Sequence, residues 1–290
     1  MKLITYMFEG RECIGVLTSN GKEVCPITFF SSMNELIEKA SKADIDKIEE
    51  LSRKGSGLIE IERVRKKSPI PCPKQDVLCL GINYTEHAKE SESFDKEAFG
   101  GERPCAIYFS KRVNESPADG DDICGHFDIV DSLDYEGELG VIIGKDAKNV
   151  PIEEAGDYIF GYTVINDVSA RNIQTAHKQW YFGKSLDGFT PMGPCILTAD
   201  EIPYPPALKI TTRVNGELRQ NSTTDLLITD IDHIIHELSQ GMTLKAGTVI
   251  ATGTPSGVGM GMNPPCFLKE GDIVECEIEK IGKLTNRIVK

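Results

Sequence analysis

Between residues 132 and 145 the chain reads SLDYEGELGVIIGK, with Asp134, Glu136 and Glu138 at alternate positions and an apolar run behind them. On a strand, alternate side chains share a face. Three carboxylates would then crowd together and repel. A solvated edge tolerates that. Here, however, Leu133, Tyr135 and Leu139 occupy the other face and the run continues as VII, so the segment heads for the core. Unpaired carboxylates are costly there, and a bound cation turns their repulsion into attraction. Another acid, Asp167, ends the apolar run of FGYTVINDVSARNIQ; it or Ser169 also fits as the N-cap of a following helix. Carboxylates without sulfur or a histidine pair suit a hard divalent ion, Mg²⁺ first and Mn²⁺ or Ca²⁺ next. His233 and His236 are three apart, but DIDHIIHEL has the pattern of an amphipathic helix rather than a zinc site.

Three further groups could take part. His87 and Glu90 in GINYTEHAKE are three apart on a short helical segment, so their side chains can meet. Arg171 and Gln174 share a helical face in the same way. Arg171 could anchor a substrate carboxylate bidentately or brace the acids, and the spacing does not choose. GTPSGVGMG is glycine-rich but lacks the Lys-Ser/Thr that ends a phosphate loop.

The elements that must position these residues are mostly strands. DVLCLGINY, CAIYFS, GELGVIIG, DYIFGYTVIND, CILTAD, KITTRVNGELRQ, TVIATGTP and DIVECEIEKIGKLTNRIV all read as strands. VNGEL marks a hairpin, since Asn-Gly favours the primed two-residue turn. Helical pieces are few: TEHAKESE, SARNIQTAH and DIDHIIHELSQGM. Strands and helices do not alternate, which disfavours a doubly wound nucleotide fold and favours a β-rich α+β architecture. Residues 1–70 read as a small N-terminal domain of short strands and one amphipathic helical stretch, SMNELIEKASKADIDKIEELSRKG. The three prolines of SPIPCPKQD mark a boundary, leaving 71–290 as the main, catalytic domain.

A formal net charge of −13 over 290 residues argues against nucleic acid or an anionic membrane as a partner. No stretch is long and apolar enough to cross a membrane. Nine scattered cysteines without a C-x-x-C read as reduced thiols, most of them small buried hydrophobes, in a cytoplasmic protein.

DYEGELGVIIG, GYTVINDVSARNIQ, KSLDGFTPMGP and ATGTPSGVG follow one another in that order. Together they resemble the fumarylacetoacetate hydrolase family from about residue 76 to the end. The resemblance implies that family's mixed β-sheet roll and a homodimer. It implies Mg²⁺ or Mn²⁺ held by Glu136, Glu138 and Asp167, with Asp134 a supporting acid. It makes Lys184 an enolate-stabilising ammonium and GTPSGVGMG a substrate loop with Thr254 offering a hydroxyl and an amide. His87 and Glu90 become a water-activating pair, with Asn83 and Tyr84 ahead of them, and Arg171 and Gln174 join the substrate contacts. KESESFDKEAFGGE resembles a lid that orders on substrate binding. The expected reaction is metal-dependent hydrolysis of a C–C bond in an acylpyruvate-like 2-oxo acid. Oxaloacetate decarboxylation or tautomerisation, and isomerisation of unsaturated 2-oxo diacids, start from the same enolate and stand as the alternative.

Overall fold

The computed structural model describes residues 1–55, 57–101 and 104–290. Among these, eleven strands build one large mixed sheet. Its path runs Ile59–Glu60, Glu23–Ile27, Arg11–Leu17, Lys2–Phe8, Met192–Thr198, Ile159–Asn166, Gly137–Ile143, Val249–Ala251, Val77–Gly81 and Ile107–Lys111, with Arg65–Lys66 added beside Lys2–Phe8. The pairings are antiparallel except Val249–Ala251 with Val77–Gly81. A five-stranded sheet runs Glu217–Thr223, Lys209–Val214, Ile273–Ile278, Gly282–Val289 and Asp122–Cys124. It packs over the Gly137–Ile143 strand so closely that a Cβ on Gly137 would lie 2.3 Å from Thr212 Oγ1. The architecture is the β-rich α+β arrangement the strand pattern predicts.

Why the central strands are so apolar follows from this layering. All seven residues of Gly137–Ile143 are buried, because both faces of the sheet are covered. Leu139, Val141 and Ile143 join the main core on one face, and Ile142 joins a second core on the other. The hairpin at VNGEL forms as expected. Asn215 (φ 51°) and Gly216 (φ 81°) both take the left-handed conformation the primed turn needs.

Three readings of the sequence need correction. The amphipathic stretch is two helices, Met33–Lys39 and Lys42–Lys54, because Ser41 builds a capping box with Asp44 and restarts the chain. The strand read through the acidic motif is broken at Tyr135 and Glu136, with Leu133–Asp134 pairing the Ser169–Ala170 segment instead. Four cysteines are buried (Cys25, Cys79, Cys195, Cys276), while Cys72, Cys105 and Cys266 are exposed; all nine are free. Residues 1–70 do keep to their own strands and helices, yet their sheet is continuous with the rest: Lys2 pairs with Leu197 and Leu3 with Ile196. Among the described residues no helix is long and apolar enough to cross a membrane.

Candidate metal centre and active site

Glu136 and Glu138 reach the site from the start of the Gly137–Ile143 strand, and Asp167 from just beyond Ile159–Asn166. Register brings them together: Glu138 pairs with Ile165 and Gly137 with Asn166. The Asp167 N–H donates to Glu136 O at 2.8 Å, and the Glu136 N–H to Asn166 Oδ1 at 3.0 Å. One carboxylate oxygen from each of Glu136, Glu138 and Asp167 lies within 4.8 Å of the others. The solvated-edge alternative is ruled out, since Glu136 is 5 % exposed, Glu138 1 % and Asp167 and Asp134 0 %.

The charges around these acids are nearly matched. Lys184 Nζ donates to Glu136 Oε2 at 2.8 Å and to Asp167 Oδ2 at 2.9 Å. Lys111 Nζ donates to the other Asp167 oxygen and to Val168 O at 3.1 Å. Arg171 Nη2 lies 2.6 Å from Glu136 Oε1 and 3.0 Å from Asp134 Oδ2. Four buried carboxylates therefore face three buried cations. Glu138 makes no ion pair among the described residues; it accepts the Gly253 N–H at 2.8 Å. Burial pushes the Glu138 carboxyl well above its usual value, with repulsion from Asp167 and Glu136 adding to it. Burial acts the same way on Glu136, but Lys184 and Arg171 outweigh it and hold that carboxyl down to about 2. Lys184 is raised against burial by the two acids it touches, whereas burial lowers Lys111 despite Asp167.

Three oxygen donors around one unbalanced negative charge fit a hard divalent cation. Such an ion would reverse the cluster's net charge to positive, which an anionic substrate then complements. The donor set suits a hard divalent cation, a chemistry that Mg²⁺, Mn²⁺ and Ca²⁺ share.

Above the acids lies a small cavity of about 10 Å³. Glu136, Lys184, Arg171, Gln174, Thr254 and His87 line it, and Phe99, Phe109, Trp180 and Met260 form its apolar side. His87 Nδ1 sits 3.2 Å from Glu90 Oε2, as the three-residue spacing predicts. Glu90 also accepts the Gly257 N–H at 3.0 Å, so the glycine loop fixes the pair. His87 Nε2 faces Ser91 Oγ at 3.4 Å. The segment read as a lid is folded over the cavity as the helices Thr85–Phe94 and Lys96–Phe99, with Phe99 buried; Glu102, its last residue, lies outside the described residues.

Several expected substrate contacts are otherwise engaged. Asn83 holds Thr229 O, Thr252 O and the Thr229 N–H with its amide, and it does not line the cavity. Tyr84 is buried outside the cavity, where burial and the charges of Glu138 and Asp225 push its phenol up. Thr254 donates its hydroxyl to Gly137 O and accepts from Gln220, which ties the loop to the acidic strand. Arg171 braces Asp134 and Glu136, and Gln174 in turn accepts from Arg171 at 3.0 Å. Asp134 is a clamp, as expected of a supporting acid: it accepts the N–H groups of Gly259 and Met260 as well as Arg171. The helix after Asp167 starts at Arg171 with Ala170 at its cap, so neither Asp167 nor Ser169 is an N-cap. Sequence reasoning missed Lys111 and Gln220 entirely. A lysine ending the apolar strand IYFSK was the available signal for the first.

The chain matches the model of the fumarylacetoacetate (FAA) hydrolase C-terminal family over residues 76–289. It is 45% identical over 234 residues to oxaloacetate tautomerase YisK of Bacillus subtilis (strain 168), covering 81% of this chain and 76% of that protein. Among solved structures it is similar to a fumarylacetoacetate hydrolase from psychrophilic Exiguobacterium antarcticum, with TM-score 0.82, 38% identity and coverage of 100% and 99% of the two chains. It is also similar to a 2-hydroxyhepta-2,4-diene-1,7-dioate isomerase from Mycobacterium marinum, with TM-score 0.75, 28% identity and coverage of 100% and 98%. Buried acids on neighbouring strands, the histidine–glutamate pair above them and a match across most of the chain agree: this protein belongs to the fumarylacetoacetate hydrolase family.

Proposed function

We propose that the chain moves a proton on a small 2-oxo diacid, interconverting the keto and enol forms of an oxaloacetate-like substrate, in place of the hydrolysis first expected. The carrying observation is the pairing of a buried His87–Glu90 base with an acid cluster one positive charge short of balance, with His87 and Glu136 lining one small cavity. The tautomerase named among the relatives supports the same reaction.

Glu136, Glu138 and Asp167 would hold the cation. When bound, it supplies Lewis-acid polarisation of the 2-oxo group. With Glu90 accepting from Nδ1–H of His87, Nε2 is the unprotonated nitrogen, beside Ser91 Oγ on the cavity lining. Toward the enol, Nε2 takes a proton from the carbon beside the 2-oxo group and delivers it to the oxygen; toward the keto form it carries the enol proton back to that carbon. Lys184 Nζ stabilises the negative charge that develops on that oxygen. Arg171 keeps Glu136 ionised and fixed.

The test follows the enol absorbance of oxaloacetate in buffer containing magnesium, with products identified by NMR. The parent should speed equilibration without forming pyruvate. His87→Ala should lower the rate by about 10²–10⁴ and keep the metal-dependent rise in melting temperature. Faster cleavage of acetylpyruvate than tautomerisation of oxaloacetate would return the protein to the hydrolytic branch.

A further inference from the structure

Beyond the reacting groups the cavity has an end wall, built as a ladder of rings. Lys184 Nζ stands 5.2 Å from the Phe109 centroid. Phe109 meets Trp180 edge-on at 5.5 Å, and Trp180 meets Phe99 at 5.7 Å with a 52° tilt. Trp180 lies hard against the backbone of Gly81, where an added Cβ would come within 2.1 Å of the indole. On the far side of these rings is a second, more open pocket of about 270 Å³, lined by Ile82, Ala98, Phe99, Ile107 and Trp180 among others. Ile82, Phe99 and Trp180 line both spaces, so they form the partition between them. Ile82 and Trp180 sit on the scaffold. Phe99 alone comes from the short helix Lys96–Phe99 that folds over the site, and it is 3 % exposed.

We infer that Phe99 sets the length of 2-oxo acid the site accepts, by separating the small cavity over the acids from an apolar pocket that would seat a longer chain. The inference rests on the 2-oxo acid reading above and adds a selectivity to it. With the ring in place the cavity over the acids has no room for extra methylenes, and each methylene that clashes or loses its pocket changes binding by roughly tenfold or more. Truncation to alanine joins the two spaces.

The measurement is calorimetric binding of straight-chain 2-oxo acids of four, six and eight carbons, in buffer containing magnesium. It reads affinity and needs no turnover. The parent should favour the four-carbon acid over the eight-carbon acid by at least about tenfold. Phe99→Ala should collapse or invert that ratio, and Phe99→Trp should restore it. An unchanged ratio in Phe99→Ala overturns the inference, and so does equal binding of all lengths by the parent. A uniform loss across lengths shows that Phe99 only keeps the segment shut, which also overturns it. If the parent binds none of these acids, the substrate class itself is wrong. If it binds them with the expected length preference but does not tautomerise oxaloacetate, only the reaction is wrong.

Discussion

Glu138 sits 1 % exposed beside Asp167 and Glu136, and its only polar contact among the described residues is the Gly253 N–H. Its folded pKa therefore stands above the unfolded carboxylate value of about 4.3. An acid shifted upward favours folding fully below its unfolded value, and that contribution is lost as pH rises toward the raised folded value. Glu136 runs the other way: held down to about 2, it favours folding above about 4.3 and loses that contribution only as pH falls through about 2. The metal-free protein should thus lose melting temperature as pH rises above about 4.3 toward that raised value, and Glu138→Gln should flatten that slope. Magnesium at pH 8 should raise the melting temperature of the parent and leave the variant where it was. Parallel slopes in parent and variant would remove Glu138 as the unbalanced group. The acids and the His87–Glu90 pair were legible because they are close in sequence or carried by recognisable motifs. Lys111 was not: 56 residues separate it from Asp167, and only the pairing of distant strands brings the two together.

At the scale of elements, the glycine loop after the Val249–Ala251 strand does more than contact a substrate. Gly253 takes φ +96°, a conformation that aims its N–H at Glu138 and that a side chain would strain. Gly257 donates to Glu90. At Gly261 an added Cβ would fall 1.9 Å from Glu90 Cδ. Substitution there has to push the Glu90 carboxylate off His87, because the helix carrying both packs on this turn. Gly261→Ala should lower turnover by about 100-fold and keep the magnesium-dependent gain in melting temperature, since the metal acids lie on other strands. Turnover near the parent value would mean that Glu90 relaxes without leaving the histidine. The sequence marked this loop as glycine-rich and nothing more. Which glycine serves conformation and which serves close approach depends on what the fold puts opposite each one. The break in the acidic strand is similar: alternation was visible, but the pairing of Leu133–Asp134 with Ser169–Ala170 came from a segment 36 residues away.

Over the whole molecule, the first 70 residues test how far a proline-rich boundary implies an independent unit. SPIPCPKQD carries no helix or strand and the strands before it pair with one another, but Lys2–Phe8 hydrogen-bonds to Met192–Thr198 and extends the same sheet. A pairing between residues as far apart as Lys2 and Leu197 leaves no local trace in the sequence. Leu3, Ile14, Val16, Met33 and Leu36 lie in one buried core with Ile142, Ile165, Met192 and Ile196. Fully burying each such side chain contributes roughly 1.5–3 kcal/mol, and a domain's net stability is only about 5–15 kcal/mol. A chain beginning at residue 71 would keep every group of the acidic cluster and still expose the Met192–Thr198 edge with Ile196 facing water. An uncovered apolar edge pairs with other chains. Such a chain should therefore aggregate on expression and elute in the void volume on gel filtration, while co-expressed residues 1–70 should recover part of the folded, magnesium-stabilised protein. A monodisperse, cooperatively melting chain from residue 71 would show instead that the catalytic fold closes on its own and that the N-terminal strands only decorate its edge.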